Sequence, residues 1–199
     1  TQSDQPPQGL LWDKPVIAIL PGGGENPGTL MKIKRWDKEK FKDLAQRLLD
    51  YRPYQILLLG GPSDAELTGW MLGALNRRND SVIDLAGKTS IVELMAILKK
   101  CSLVIGGDSG PMYLAAALGA PTLMLFGPSD PDLVAPHGPK HRYLRKKVSC
   151  SPCYTPDTVY DSSRFRGNEF ICWTGTHVCM KELRVDEAHK TATAMLPIG

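Results

Sequence analysis

The residues best suited to chemistry lie in the segment LVIGGDSGPMYLAAALG, residues 103–119. A strand-length apolar run ends in Gly106-Gly107. Asp108, Ser109, Gly110 and Pro111 then lead into a helical pattern. Glycines let a backbone approach a ligand closely. A helix start offers unpaired N–H groups and the positive end of its dipole, which suits a phosphate. Ser109 adds a hydroxyl. The same residue types also make an ordinary helix cap, and the segment alone leaves both readings open. A second group comes earlier: Gly22-Gly23-Gly24, then Lys32, Lys34 and Arg35 just before Trp36. A lysine near strand ends would neutralise a diphosphate. The alternative is a solvated basic loop.

Two familiar phosphate motifs are absent. G-x-G-x-x-G follows none of the strand-like runs, which argues against a nicotinamide-dependent oxidoreductase. Gly87-Lys88-Thr89 resembles the end of a P-loop, but position 82 is Val, not Gly. The late cysteines form one C-x2-C pair, Cys150 and Cys153, followed by Cys172 and Cys179. His177 would be a candidate substitute ligand. The gap before Cys179 does not fit a standard zinc knuckle. A thiol cluster, a disulfide and a metal site all stand as readings, and no metal is expected.

These groups need elements to hold them. Short apolar runs, each ending near Gly or Pro, occur at 16–22, 55–61, 81–87, 102–109 and 121–128. They read as strands buried on both faces of a parallel sheet. Helical patterns separate them at 37–52, 64–78, 90–101 and 110–119. Asp37 is a predicted N-cap, and Ser63/Glu66 and Ser90/Glu93 are predicted capping boxes. This order predicts an α/β, Rossmann-like doubly wound parallel sheet with ligands at the carboxyl ends of its strands. HRYLRKKV (141–148) is a candidate sixth strand, 149–179 reads as irregular, and 180–196 as a closing helix. Residues 1–14 read as a linker and 15–199 as the domain.

The 199 residues carry 24 Lys+Arg and 21 Asp+Glu, too balanced a charge to make nucleic acid the partner. No apolar stretch reaches the roughly 18 residues of a membrane span. The polar, Pro-rich start reads as neither signal peptide nor initiator, so a fragment of a longer cytosolic protein is expected. Five basic residues fall within 140–147. They suit either a solvated face or an anionic lipid surface.

The combination of LPGGG…KRW (20–36), LLLGGPSDAE (57–66), the block 84–131 and CSPC (150–153) resembles glycosyltransferase family 9, the ADP-heptose:lipopolysaccharide heptosyltransferase family. The likeness runs over roughly residues 15–185. It implies one half of a GT-B enzyme, the C-terminal donor-binding domain, with the N-terminal acceptor domain missing. It also implies metal-independent inverting transfer from a sugar nucleotide, ADP-heptose-like, to a lipid-linked saccharide acceptor. It further implies no cofactor and a cytoplasmic setting, peripheral at the inner face of the membrane. A non-catalytic nucleotide-sugar-binding module is the alternative. By the resemblance, Lys34 and Asp108 are catalytic and Lys34 meets the diphosphate. Gly23 and Gly24 lie at the phosphates, Asp64 near the ribose and Thr89 near the base. Asp108, Ser109 and Gly110 lie at the phosphate and sugar. The family pattern has His where this chain has Tyr113, so the role of that site residue is open.

Overall fold

The computed structural model describes residues 12–23, 25–26, 28–75 and 81–197. Gly24 and most of the predicted linker lie outside the described residues. The chain begins with β1 (Val16–Leu20), the short strands β2 (Glu25–Asn26) and β3 (Thr29–Leu30), and a 3-10 turn at Lys32–Lys34. Then follow α1 (Lys38–Tyr51), β4 (Gln55–Leu58), a 3-10 turn at Pro62–Asp64, α2 (Ala65–Leu75), β5 (Val82–Asp84) and α3 (Ile91–Lys100). Next come β6 (Leu103–Gly107), α4 (Gly110–Ala117), β7 (Thr122–Phe126), α5 (Pro131–Val134) and β8 (His141–Arg145). The tail holds β9 (Phe165–Arg166), β10 (Glu169–Phe170), α6 (Val178–Lys181) and α7 (Val185–Met195).

Six strands form one parallel sheet in the order β5-β4-β1-β6-β7-β8. The chain leaves β1 in one direction, crosses back, and continues from β6 in the other, the doubly wound Rossmann-like pattern. Each strand sends alternate residues to opposite faces. Ile17, Ile19, Ile56, Leu58 and Leu125 pack under α1, α2 and α7, against Phe41, Leu44, Met71 and Ala188. Val16, Ala18, Leu57, Val104 and Phe126 pack under α3 and α4, against Leu98, Met112 and Ala115. Full burial of such a side chain contributes about 1.5–3 kcal/mol, while a cap contributes about 0.5–2 kcal/mol. Packing on both faces therefore fixes the sheet, and the caps trim its helices.

The predicted caps are mostly present. Asp37 accepts from the Glu39 N–H at 2.8 Å, and Ser90 and Glu93 form the reciprocal box. Ser63 is a correction. The 3-10 turn Pro62–Asp64 runs straight into α2, and it is the Asp64 carboxylate that reaches back to the Gly61 N–H, at 3.0 Å. The expected closing helix is two helices, α6 and α7, separated by Glu182-Leu183-Arg184. The region read as irregular contributes β9 and β10. They join β2 and β3 in a second, four-stranded sheet, with Leu30 opposite Glu169.

The basic run at 140–147 is less free than its composition suggests. Arg145 pairs with Asp130 at 2.9 Å and Lys146 with Glu187 at 2.7 Å. No helix among the described residues is long and apolar enough to cross a membrane.

Candidate functional site

Lys34 and Asp108 meet at the carboxyl end of the main sheet, 2.7 Å apart. Their positions follow from the burial of their neighbours. Met31 and Ile33 pack into the small core around Phe170, and Trp36 packs into the main core. The 3-10 turn between them thus has two inward anchors, and the Lys34 side chain is left at the rim, 14% exposed. Asp108 follows β6 directly. A Cβ on Gly107 would lie 2.9 Å from the Lys34 carbonyl oxygen, so only glycine lets the turn lie this close to the strand.

The Asp108 carboxylate accepts from three side chains. Its Oδ2 takes Lys34 and the Ser129 hydroxyl (2.5 Å), and its Oδ1 takes the Tyr113 hydroxyl (2.6 Å). Burial pushes its pKa upward, but the Lys34 charge and the hydrogen bonds from Lys34, Ser129 and Tyr113 outweigh this and hold it below the ordinary carboxylate value. Burial, then the bond to Asp108 and its charge, push the Tyr113 hydroxyl well upward. Tyr113 therefore stays a neutral donor across the physiological range and acts by orienting Asp108.

Neither side chain of the Asp108-Ser109 segment caps α4. Ser109 occupies the N-cap position of α4, yet its side chain makes no cap bond. Asp108 uses its oxygens on Lys34, Ser129 and Tyr113. In the first turn of α4, Pro111 has no N–H and the Met112 and Tyr113 N–H groups donate to the Ser109 carbonyl, so the Gly110 N–H is the one left to other acceptors. Beside it lies a hollow of about 490 Å³, lined by Gly23, Gly61, Asp64, Ser109, Gly110 and Tyr113, with Lys34 and Asp108 at its edge. Gly23 has φ 94°, and a Cβ there would come 3.1 Å from the Ser109 Cβ, so this wall is closed to side chains. The hollow sits at the ends of β1, β4 and β6, the point where the winding of the sheet reverses.

Among the site residues expected from sequence, Gly23, Lys34, Asp64, Asp108, Ser109, Gly110 and Tyr113 come together around this hollow. Gly24 lies outside the described residues. Thr89 is half-buried after β5 and does not line the hollow. Asp64 is buried, held by the Gly61 N–H and lying 3.6 Å from the Arg35 guanidinium.

Three contributors stand outside the expected site residues. Arg35 donates to the Gly23 carbonyl at 2.7 Å and fastens the first loop. Ser129 holds Asp108, and the Tyr154 ring lies 4.3 Å beneath the Lys34 ammonium. Ser129 carried a usable signal, since it follows Gly127-Pro128 at the end of β7, where ligand groups collect.

The cysteines lie elsewhere. All five are free thiols, which removes the disulfide reading. Among the described residues no group of three or more His, Cys, Asp or Glu is arranged to hold a metal ion. The His177 ring nitrogen is engaged with the Ile33 carbonyl, which corrects its reading as a spare ligand. Burial pushes the Cys101 thiol up to about 12 and the Cys179 thiol up to about 11. Both therefore stay protonated near neutrality.

Acid should expose the Asp108 contribution. A carboxyl whose folded pKa lies below its unfolded value, about 3.9, stabilises the fold above that value and loses the contribution as pH falls through the folded one. The urea midpoint of the wild type should therefore fall more steeply below about pH 4 than that of Asp108→Asn. Parallel pH profiles would mean that the Lys34 pair contributes no pH-dependent stability.

Comparison with known proteins adds to this geometry. Residues 1–162 match the model of glycosyltransferase family 9 (heptosyltransferase). Lipopolysaccharide heptosyltransferase 2 of Escherichia coli is 34% identical over 137 residues, covering 68% of this chain and 38% of that protein. Lipooligosaccharide heptosyltransferase 2 of Campylobacter jejuni is 28% identical over 176 residues, 87% of this chain and 50% of that protein. The solved structure of E. coli ADP-heptose LPS heptosyltransferase II superposes with a TM-score of 0.69 at 26% identity, covering 92% of this chain and 46% of that one. The chain spans about half or less of the length of these relatives.

Proposed function

Because this chain belongs to glycosyltransferase family 9 (heptosyltransferase), we propose that residues 15–199 form the donor-binding half of a GT-B heptosyltransferase. The donor is a sugar nucleotide of the ADP-heptose type, named for the E. coli relative, and the acceptor is a lipid-linked saccharide of the lipopolysaccharide core. The observation that carries this reading is the meeting of Lys34 and Asp108 at the edge of a glycine-walled hollow that also holds the start of α4.

The chemistry is leaving-group stabilisation. An acceptor hydroxyl attacks the anomeric carbon from the side opposite the diphosphate. The bond from that carbon to the phosphate oxygen breaks, its electron pair goes to the diphosphate, and the configuration inverts. The hydroxyl proton goes to a base outside this chain, in the acceptor-binding half. Lys34 has three N–H bonds, of which Asp108 takes one, so the remainder are available to the diphosphate. With the Gly110 amide at the start of α4 they meet the charge that develops there, the place a metal ion takes in other transferases. Asp108 holds the ammonium in position, and Ser129 and Tyr113 hold Asp108.

This chain alone binds the donor without turning it over, because the acceptor half lies outside it. In the cell the complete protein works in the cytoplasm, at the inner face of the membrane where a lipid-linked acceptor is reached. Calorimetry with a nucleotide panel tests the reading. ADP-heptose and ADP should bind more tightly than adenosine, and EDTA should leave both affinities unchanged. Binding that requires Mg²⁺, or a preference for NADH, would overturn it.

A further inference from the structure

The basic run at 140–147 has members that the donor site does not use. Arg145 and Lys146 are paired with Asp130 and Glu187. Lys140 and Arg142 are not. Lys140 donates to the Gly119 carbonyl at 3.3 Å and Arg142 to the His141 carbonyl at 3.2 Å, and among the described residues neither meets a carboxylate. Residues two apart on an extended chain share a face. Leu144, on the same face as Lys140 and Arg142, packs against the core under α7. Opposite them α7 presents Thr191, Ala194 and Met195, spaced one helical turn apart. With Pro121 and Pro139 these residues enclose a hollow of about 340 Å³. Pro121 stands just before β7 and Lys140 just before β8, so the hollow lies at the amino ends of these parallel strands. The donor hollow is at the opposite pole of the sheet.

The chemistry of the hollow selects its occupant. Glu187, one turn before Thr191 on α7, is engaged by Lys146 at 2.7 Å and Arg184 at 3.3 Å. The carboxyl end of α7 attracts cations through its dipole, but the hydrogen bonds of Lys140 and Arg142 run to carbonyls outside that helix. The Thr193 hydroxyl is turned onto the His189 carbonyl at 2.9 Å, whereas the Thr191 hydroxyl has no hydrogen-bond partner among the described residues. An ammonium, a guanidinium and a hydroxyl thus line one hollow, and all three donate. Such a set repels a metal ion, and a neutral ligand would use neither charge. A phosphate has enough oxygens for all three donors and matches the fork of a guanidinium. The walls from Pro121, Pro139 and Met195 suit a short aliphatic stem, and the volume is at the lower end for ligand sites.

We propose that this hollow is a second anion site, which takes a phosphate group carried on a small aliphatic stem. It is separate from the donor hollow and does not depend on the donor reading. Free phosphate esters and phospholipid headgroups both present such a group, and the test separates them.

The full chain is titrated with glycerol 3-phosphate while its amides are followed by NMR. It is also sedimented with vesicles of phosphatidylcholine, alone or mixed with phosphatidylglycerol. The variants are Arg142→Gln and Lys147→Gln. Both residues are exposed and each change removes one charge from the same run, but Lys147 does not line the hollow. Glycerol 3-phosphate should shift the Thr191 and Ala194 amides independently of the Gly110 amide in the donor hollow. Arg142→Gln should weaken that binding about fivefold or more, and Lys147→Gln less than about twofold. The same ranking in pelleting with the phosphatidylglycerol vesicles would make a lipid headgroup the source, and binding of the soluble ester alone would make it a free phosphate ester. No shift at α7 together with no pelleting would overturn the site. Equal losses for the two variants would overturn it too, since they mark a diffuse basic surface. A silent Gly110 would count against the donor reading and leave this site standing.

Discussion

Alanine at position 34 should weaken ADP binding by about 10- to 150-fold while shifting adenosine binding less than about twofold, as read by calorimetry. The range corresponds to about 1.5–3 kcal/mol, the usual contribution of a hydrogen bond to a charged group. Two effects point the same way. The ammonium no longer meets the diphosphate, and the Asp108 carboxylate, 2.7 Å from it in the wild type, faces the ligand uncompensated. Removing one partner of a buried pair also destabilises the fold, by up to about 3–5 kcal/mol. That loss must be separated from the loss of binding. The double variant Lys34→Ala with Asp108→Asn removes the stranded charge, so its melting temperature should recover toward the wild type. Its ADP affinity should stay low. Recovery of both would make Lys34 a structural residue only, and equal loss of ADP and adenosine would take it away from the phosphates.

Trp36→Ala should produce the largest fall in stability, about 3–5 kcal/mol, the cost of emptying a large aromatic site in a core. For a chain of this size that is a drop of roughly 6–20 °C in melting temperature. Trp36 is 3% exposed, stacks edge-on against Phe41 at 5.0 Å, and donates from Nε1 to the Leu183 carbonyl at 3.1 Å. Trp36→Phe keeps much of the volume and loses only the hydrogen bond. Lys40 also donates to that carbonyl, at 2.9 Å, so Phe should cost no more than about 1.5 kcal/mol beyond its smaller volume. A chemical denaturation series that ranks Phe with Ala would mean the hydrogen bond, not the packing, anchors this turn.

The sheet was legible because its strands are buried on both faces. Such strands appear as unbroken apolar runs, and VIAIL, QILL and TLMLF are buried at every position. Asp108, Ser109 and Gly110 were legible for a related reason: the end of a central parallel strand is where ligand groups collect, and the run LVIGG marks that end. The second sheet was not. Its strands are two residues long, too short to show a period, and their partners are set by tertiary packing alone. The same limit hid Tyr154, which reaches Lys34 from a loop far along the chain. Thr89 stands apart from the hollow because it follows β5, which lies at the edge of the sheet.

The small sheet bears on how the molecule is made. β3 finds its partner in β10, His177 reaches Ile33 across 144 residues, and Trp36 reaches Leu183 across 147. A chain emerging from the ribosome can stack its central strands early, since their neighbours lie closer along the sequence. The turn that presents the ammonium cannot be clamped until Phe170, His177 and Leu183 have been synthesised. Contacts over such separations form late. Maturation of this protein thus has two clocks, one for compactness and a slower one for readiness to grip an anion.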